Sequence, residues 1–324
     1  MKILYGINGT GRGHVMRSKA VIPLLRQNHE VDILVSGQAN SLGLGEQPRF
    51  EREGFTFHYI GETVSYLKMA AMNDLGQFIL DVHRLNLADY DLVVSDFEPV
   101  TAWAARKRGV PCVNYSHQAA FLSRNCPRPN IRSLLGEFVM ANYAPADRHL
   151  GSHYLRYDDN IMPPVLRKSI LDLESVEGDH ITVYLAKRDP QKIVKKLLKA
   201  APDRTFEVFT PLTDNIWNRG KVSVYPTDNE RFLRSLRTSW GVITNAGFCL
   251  PSEAMYLKKR MLVIPQKRQY EQACNAAALH KMGCWTSSKL KSYTVADWVR
   301  QSNPTCLPEV ATAEEVVANI LKEV

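Results

Sequence analysis

A histidine and an aspartate each follow an apolar run of the chain, where they could share a proton. His14 ends the segment 8–14 (N-G-T-G-R-G-H), which follows the run Lys2–Ile7, and Asp96 directly follows the run Asp91–Ser95. A histidine can act as a general base near neutral pH, and a carboxylate can orient its ring and stabilise the imidazolium. We therefore predict that His14 is a base supported by Asp96, provided that the two runs form neighbouring strands.

Simpler roles compete with this interpretation. His14 could cap or pack locally, and Asp96 could cap the helix that follows it. Glu98 and His117 also lie just beyond predicted strands. We hold both in reserve as acceptor contacts or as the base.

The loop that leads to His14 is rich in glycine. Glycines at Gly11 and Gly13, around Arg12, would let backbone N–H groups approach an anion or a sugar at a helix N-terminus, and we assign this loop to the acceptor side. The G-x-G-x-G-H spacing is not the dinucleotide-binding G-x-G-x-x-G, and no acidic residue follows the second strand at Gly37. No G-K-[S/T] follows either. We therefore predict neither an NAD site nor a P-loop, and no cofactor.

A second strand–turn–helix pattern covers Gly241–Ala254. Backbone N–H groups near Gly247 and Phe248, with the positive end of the helix dipole, would favour a diphosphate. Ser252 and Glu253 lie within about the first turn and a half of this helix, where a carboxylate can accept both hydroxyls of a ribose. The pattern predicts a nucleotide site here.

A third helix start, after the next strand, carries Glu271 and Gln272, whose side chains could bind the hydroxyls of a hexose. Lys187 and Arg188 follow the first strand of the second half, where their charge could stabilise a leaving diphosphate. The competing interpretation of the Gly241–Ala254 and Glu271-Gln272 motifs is two solvated helix starts rich in capping residues, and that of Lys187 and Arg188 is the solvated face of a helix.

Composition narrows the class of protein. The chain has 324 residues and a net charge of +8, from 41 basic and 33 acidic side chains. This excess suits anionic ligands such as nucleotide diphosphates, or an anionic membrane surface, but the basic residues are too scattered for a nucleic-acid partner. No apolar run approaches the ~20 residues needed to span a bilayer. We therefore expect the protein in the cytoplasm. If it contacts a membrane, we expect contact at the inner membrane surface.

Apolar runs alternate with helical patterns in both halves, as in βαβ units with a parallel sheet. Strands are predicted at Lys2–Ile7, Val31–Val35, Phe55–Tyr59, Asp91–Ser95, Pro111–Asn114, Ile181–Leu185, Phe206–Phe209, Lys221–Val224, Gly241–Thr244 and Met261–Ile264. Helices are predicted at Met16–Arg26, Leu75–Leu87, Val100–Arg108, Pro190–Ala200, Asn229–Thr238, Leu250–Leu257 and Gln269–Met282.

The layout predicts an α/β protein in which two doubly wound, Rossmann-like domains face each other across a cleft. The first domain is placed at 1–160 and the second at 179–312. The linker between them, 161–178, holds Pro163-Pro164 and an acidic run. An amphipathic helix is predicted at 313–324.

The second half resembles the donor domain of GT-B glycosyltransferases. It is similar to the UDP-glycosyltransferase superfamily and to the transferases that add N-acetylglucosamine to lipid-linked peptidoglycan precursors. The matching residues are the Thr244–Gly247 turn, Ser252-Glu253-Ala254, Pro265, Glu271-Gln272 and Asn275, with the G-x-G-H loop and Ser95-Asp96 in the first half. The resemblance spans nearly the whole chain and is strongest over 225–283.

The resemblance implies a role for each matching residue. Gly247 and Phe248 would hold the diphosphate of a UDP-sugar, Glu253 its ribose, and Glu271 with Gln272 its sugar. The sequence departs from many relatives at Asn245, where they have His or Arg, and from some at Glu271, where they have Gln or Asp. Donor contact at Asn245 and the identity of the donor sugar therefore stay open.

These assignments predict an inverting transfer without a metal. His14 would deprotonate an acceptor hydroxyl (on a glycan, a lipid-linked sugar or a small molecule) while the nucleotide diphosphate leaves from the opposite face. The pair Asp89 and Asp91 has the Asp-x-Asp spacing of metal-dependent sugar transferases, but it precedes its strand, so we interpret it as a turn. Two alternatives remain: a nucleotide-sugar 2-epimerase, and a non-catalytic nucleotide-sugar binding protein.

Overall fold

The computed structural model describes residues 1–10, 12–37, 44–54, 59–60, 63–64 and 73–322. Of the predicted features, Gly11, the side chain of Arg12 and most of the strand predicted at Phe55–Tyr59 lie outside the described residues.

Two seven-stranded sheets form the framework, one in each half of the chain. The strands of the first half are β1 (Lys2–Asn8), β2 (Glu30–Ser36), β3 (Phe50–Arg52), a β4–β5 hairpin (Tyr59–Ile60, Thr63–Val64), β6 (Leu92–Asp96), β7 (Cys112–Ser116), β8 (Arg148–Ser152) and β9 (Ile161–Met162). Those of the second half are β10 (His180–Tyr184), β11 (Thr205–Thr210), β12 (Trp217–Arg219), β13 (Val222–Pro226), β14 (Gly241–Thr244), β15 (Arg260–Val263) and β16 (Trp285–Thr286).

Helices connect these strands and cover both faces of the sheets. They are α1 (Arg12–Leu25), α2 (Leu75–Arg84), α3 (Pro99–Arg108), a 3₁₀ helix (Gln118–Leu122), α4 (Leu134–Asn142), α5 (Lys168–Leu171), α6 (Pro190–Ala200), α7 (Asn229–Thr238), α8 (Cys249–Tyr256), α9 (Tyr270–Lys281), α10 (Ser292–Gln301) and α11 (Ala313–Leu321). The predicted bounds of α6 and α7 are confirmed. Asp189 and Asp228 cap these two helices, since each side chain accepts a hydrogen bond from a first-turn amide.

Both sheets reverse their strand order at one point. The orders are β3-β2-β1-β6-β7-β8-β9 and β12-β13-β11-β10-β14-β15-β16, and among the described strands of these two sheets only the β12–β13 pair is antiparallel. Successive strands are added on one side of β1 and then, from β6 onward, on its other side. In the second sheet the same switch lies between β10 and β14. Open parallel sheets bind ligands outside the carboxyl ends of strands at such switch points. His14 in the first turn of α1, Asp96 at the end of β6 and the turn at Gly247 all lie at these points.

The core has two layers in each half because the parallel sheets are buried on both faces. Along β1, Ile3, Tyr5 and Ile7 pack on one face, and Leu4 packs on the other. The C-terminal helix α11 returns to the first sheet, where Ile320 joins the cluster around Ile3. The domain limits predicted from sequence remain a prediction, and β9 within the proposed linker pairs with β8 of the first sheet.

Several elements differ from the predicted ones. Helix α1 begins at Arg12 rather than Met16, so Gly13 and His14 lie in its first turn. Helix α2 ends at Arg84, three residues early, because Leu85 is extended. Strands β5, β12 and β16, the 3₁₀ helix and helices α5 and α10 were not predicted. Strands β3, β8 and β9 and helix α4 were not predicted either. Two of these strands have only two or three residues, too few to show a period, and α4 exposes Leu134 and Phe138 instead of hiding an apolar stripe.

Candidate active site

His14 and Asp96 meet at the switch point of the first sheet. Strands β1 and β6 are paired, with Ile7 opposite Asp96, as the base hypothesis required. His14 Nδ1 donates to Asp96 Oδ1 at 2.8 Å. With its Nδ1 proton committed to the carboxylate, the ring keeps a lone pair on Nε2, which is the atom a general base uses.

Arg17 completes this cluster from one turn further along α1. Its guanidinium donates to both oxygens of Asp96, through Nε at 3.1 Å and through Nη2. Arg17 is 5% exposed and Asp96 is fully buried. Burial raises the pKa of Asp96, but Arg17 and His14 outweigh it, and the net pKa lies below the ordinary value. Asp96 is therefore an anion held by two donors.

Glu98 has a structural role rather than the reserve role given to it from sequence. Its fully buried carboxylate accepts from the backbone N–H groups of Val100 and Thr101, at 2.8 and 2.6 Å, and from Ser36 Oγ at 2.6 Å. It caps α3, so the alternative that Asp96 is this cap is wrong. We leave Glu98 out of the site because its oxygens are taken and no acceptor could reach them.

The turn at Gly247 and the start of α8 lie at the switch point of the second sheet. Phe248 is the N-cap of α8 and makes no side-chain cap hydrogen bond. A Cβ added at Gly247 would meet nothing within 4 Å, so space is open beside this backbone. Pro251 has no N–H, so the amides of Cys249 and Leu250 are the donors of the first turn, and they form an anion-binding arrangement next to a gap.

The polar neighbours of this turn are mostly buried. Thr244 ends β14, and Asn245 donates to the carbonyl of Ile264 at 2.8 Å. Ser252 donates to the carbonyl of Phe248 at 2.9 Å. The amide of Asn245 is thus engaged in holding β15 beside the turn.

Glu253 already has a partner in the ligand-free chain. Arg167 donates to its two oxygens, from Nε at 2.8 Å and from Nη2 at 3.1 Å. Burial raises the pKa of Glu253 above the ordinary value, and Arg167 opposes that rise. A nucleotide ribose would have to take these oxygens in place of Arg167.

Glu271 and Gln272 lie in the first turn of α9, as predicted. Glu271 Oε2 accepts from Nε2 of Gln118, in the first half of the chain, at 2.9 Å. Gln272 accepts from the amide of Gln266 at 2.9 Å, which fixes the loop before the helix. Of these two, Glu271 is the one that contacts the opposite half.

His117 is enclosed between the halves rather than open to an acceptor. Its Nδ1 donates to the carbonyl of Ser152 at 2.7 Å, and Nε2 lies 2.7 Å from Asn275 Oδ1. The ring stacks on Phe248 with centroids 4.0 Å apart. Burial lowers the pKa of His117, while the charge of Glu271 opposes this effect. Both nitrogens face buried oxygens rather than open space, so His117 joins the two halves and is not a candidate base.

The two switch points face each other. A Cβ added at Gly13 would come within 3.0 Å of Sγ of Cys249, the first residue of α8. Tyr154 of the first half also donates to the carbonyl of Gly247 at 3.0 Å. His14, one residue after Gly13, therefore lies beside the N-terminus of α8. Arg188 lies in the turn between β10 and α6, where its amide bonds the Leu185 carbonyl.

Metal-binding groups and membrane-spanning helices are both absent from the described ranges. No group of three or more His, Cys, Asp or Glu side chains there has a metal-binding arrangement. Asp91 lies at the amino edge of the first sheet, where it accepts from the amide of Lys2 at 2.6 Å. Among the same residues, no helix has the length and apolarity of a membrane span.

Three residues at this site were not predicted. Arg17 had a detectable signal, since a residue three positions after His14 in a helix lies on the same face. Arg167 and Gln118 had none, because their partners are 86 and 153 residues away and depend on how the halves pack.

The sequence matches a known family. Residues 1–302 fit the family model described as glycosyl transferase family 1. No curated protein matches the sequence significantly.

Solved structures share the fold over the full length. The spinosyn forosaminyltransferase SpnP has a TM-score of 0.59 at 13% identity, covering 100% of this chain and 95% of that one. UGT2 of Phytolacca americana, complexed with UDP-2-fluoro-glucose and pterostilbene, has a TM-score of 0.60 at 12% identity, covering 98% and 92%. The UDP-GlcNAc 2-epimerase of Methanocaldococcus jannaschii has a TM-score of 0.59 at 11% identity, covering 100% of both. At such identities the likeness shows the fold alone.

Proposed function

The match over residues 1–302 means that the chain belongs to glycosyl transferase family 1, and on that premise we propose that it transfers a sugar from a UDP-sugar to an acceptor hydroxyl with inversion and without a metal. The protein is a glycosyltransferase with the GT-B fold. The single observation that carries the finer proposal is the His14–Asp96 pair beside the uncapped start of α8.

His14 acts as the general base in this proposal. Its Nε2 takes the proton of the acceptor hydroxyl as that oxygen attacks the anomeric carbon of the donor. Asp96 holds the ring through Nδ1 and stabilises the imidazolium that forms. Arg17 keeps Asp96 ionised and in place.

The second half binds the donor and stabilises its leaving group. The diphosphate is placed at the backbone of Gly247 and Phe248, where the dipole of α8 opposes the charge that grows as the bond breaks. Glu253 accepts the ribose hydroxyls after Arg167 leaves, and Glu271 with Gln272 contacts the sugar. Arg188 adds positive charge near the same edge.

Inversion and metal independence follow from this placement. The base comes from one half and the leaving group departs toward the other, so attack and departure occur on opposite faces of the anomeric carbon. The α8 N-terminus supplies the positive potential that a metal ion gives in other transferases. We therefore expect EDTA to leave turnover unchanged, and loss of activity on chelation would contradict this part of the proposal.

His14→Ala tests the base assignment directly. Each variant is incubated with a panel of UDP-sugars and candidate acceptors, and release of UDP is measured alongside UDP affinity by calorimetry. We expect turnover to fall by roughly 100- to 10,000-fold, the usual share of a general base, while the Kd for UDP changes little. His83→Ala is the matched control, since His83 is exposed on α2. Near-normal turnover of His14→Ala would show that another group is the base.

A nucleotide-sugar 2-epimerase is the second candidate, because epimerases are among the proteins of similar fold. An epimerase would convert a UDP-sugar without any acceptor. Product identification after incubation with UDP-N-acetylglucosamine alone separates the two, since a new epimer would favour this candidate over transfer. The acceptor class (a glycan, a lipid-linked sugar or a small molecule) remains a prediction from the sequence.

A further inference from the structure

Gln118 reaches from the first half of the chain to the proposed sugar site in the second. It is the first residue of the 3₁₀ helix that follows β7, at the carboxyl edge of the first sheet. Its Nε2 donates to Glu271 Oε2 at 2.9 Å. The carboxylate proposed to contact the donor sugar is therefore bounded by a side chain of the other half.

The orientation of this amide follows from the chemistry of its partner. A carboxylate accepts and cannot donate, so the nitrogen of Gln118 must face Glu271 and the oxygen must face away. Oε1 is buried and has no hydrogen-bond partner among the described residues, in a side chain that is 7% exposed. A buried acceptor without a donor costs free energy, so Oε1 marks a hydrogen bond that a ligand can complete.

We propose that Gln118 is a specificity residue for the donor sugar, an inference that rests on the proposed function of the site. Oε1 of Gln118 and the carboxylate of Glu271 are two acceptors linked through the Gln118 amide nitrogen. Two neighbouring hydroxyls of a hexose donate one hydrogen bond to each of them. The substrate class is thus a hexosyl donor with two adjacent free hydroxyls. A sugar with one of these inverted leaves a buried acceptor unpaired and is rejected.

A purely structural role for Gln118 makes a different prediction, and the neighbouring residue provides the comparison. Tyr270 donates from its hydroxyl to Glu137 Oε1 at 2.6 Å, so it too joins α9 to the first half. Tyr270→Phe removes one hydrogen bond between the halves without touching Glu271. If Gln118 only holds the halves together, Gln118→Leu and Tyr270→Phe will affect every nucleotide equally.

The experiment compares the two variants with the wild type in the full-length chain. Calorimetry gives Kd values for UDP, UDP-glucose, UDP-galactose and UDP-N-acetylglucosamine, and UDP release gives kcat/KM for each sugar. We expect Gln118→Leu to raise the Kd for the preferred UDP-sugar about tenfold or more. The ratio of kcat/KM between that sugar and the other sugars should fall by a similar factor. The Kd for UDP should change less than about twofold, and Tyr270→Phe should keep the wild-type preference.

A second pair of variants protects the test against misfolding. Gln118→Glu is isosteric but places two carboxylates together, so the preferred UDP-sugar should bind more weakly than to Gln118→Leu. The exchange Q118E/E271Q restores a donor and an acceptor and should recover part of that loss.

Each outcome decides the proposal. Unchanged sugar preference in Gln118→Leu, or an equal effect on UDP and UDP-sugars, would overturn the inference and leave the proposed function standing. A wild-type chain that binds none of the four nucleotides would overturn both.

Discussion

Replacing Asp96 by asparagine should separate the catalytic and structural duties of one carboxylate. Oδ1 of Asp96 accepts from both Arg17 Nη2 and His14 Nδ1, so in Asp96→Asn the amide oxygen takes that position and the His14 tautomer is kept. The amide is neutral, however, and Arg17 Nη2 lies 3.3 Å from His14 Nδ1. An uncompensated cation then opposes the imidazolium that forms when Nε2 takes the acceptor proton. We therefore expect kcat to fall roughly 100- to 10,000-fold, the usual share of a general base.

The same change should destabilise the fold because it leaves Arg17 without its counter-ion. Asp96 is fully buried and Arg17 is 5% exposed, so solvent screens the pair little. Breaking a buried ion pair costs about 3–5 kcal/mol, and each kcal/mol lowers Tm by about 2–4 °C in domains of this size. Asp96→Asn should thus lose roughly 6–20 °C of Tm.

The double variant R17M/D96N distinguishes the loss of Arg17's counter-ion from general misfolding. Without the guanidinium, no buried cation beside Nδ1 opposes the imidazolium that forms on His14. We expect the double variant to be at least about tenfold more active than Asp96→Asn, and its loss of stability to be smaller than the sum of the single losses by about 1–3 kcal/mol.

Two measurements check these expectations. Tm is followed by calorimetry, and UDP release from a UDP-sugar is measured well below the Tm of the least stable variant. The dependence of stability on pH in the acid range is a further test, because the pKa of Asp96 in the folded protein lies below its ordinary value of 3.8. Stabilisation from this pair is present above that value and lost as the pH falls through the folded pKa, whereas R17M/D96N lacks this loss. A double variant no more active than Asp96→Asn would show that the uncompensated charge of Arg17 is not what lowers turnover.

Two further predictions concern the contacts between the halves. Glu253→Ala should raise the Kd for UDP about tenfold. This is less than a charged hydrogen bond can contribute, because Arg167 already occupies the carboxylate. An unchanged Kd by calorimetry would show that Glu253 does not bind the nucleotide. Gly136→Ala should lower Tm by several degrees, since a Cβ there would overlap the ring of Tyr270. The double variant with Tyr270→Ala should regain part of this loss, and no recovery would show that the strain lies elsewhere.

The local parts of the site were predictable from sequence because they depend on neighbouring residues. A Gly-rich turn after β1 and a polar residue at the end of β6 placed His14 and Asp96 at one sheet edge, and the strand order confirms that these strands are neighbours. The start of α9 at Glu271 was predictable for the same reason, since turn and cap signals mark it. Their catalytic and binding roles stay predictions.

What could not be predicted depends on the packing of one half against the other. Asp96 ends β6 and Glu98 follows it, and sequence could not decide which one caps α3; the amides of Val100 and Thr101 donate to Glu98, which settles it. Nothing in the chain near His117 indicates that Phe248 will stack on its ring. Such contacts join residues far apart in the chain, so no local pattern encodes them.

These contacts also bear on how a donor would bind. Glu253 and Glu271 are already engaged, by Arg167 and by Gln118, so binding a ribose or a sugar there exchanges one hydrogen bond for another. An exchange of equivalent bonds adds little net free energy, although it can select strongly among ligands. The start of α8 differs because its first-turn amides have no side-chain cap to displace. We therefore expect the diphosphate to supply most of the donor's affinity and the two carboxylates to supply the specificity. Contacts to the diphosphate also strengthen as negative charge grows on the leaving group, so they can stabilise the transition state more than the bound donor.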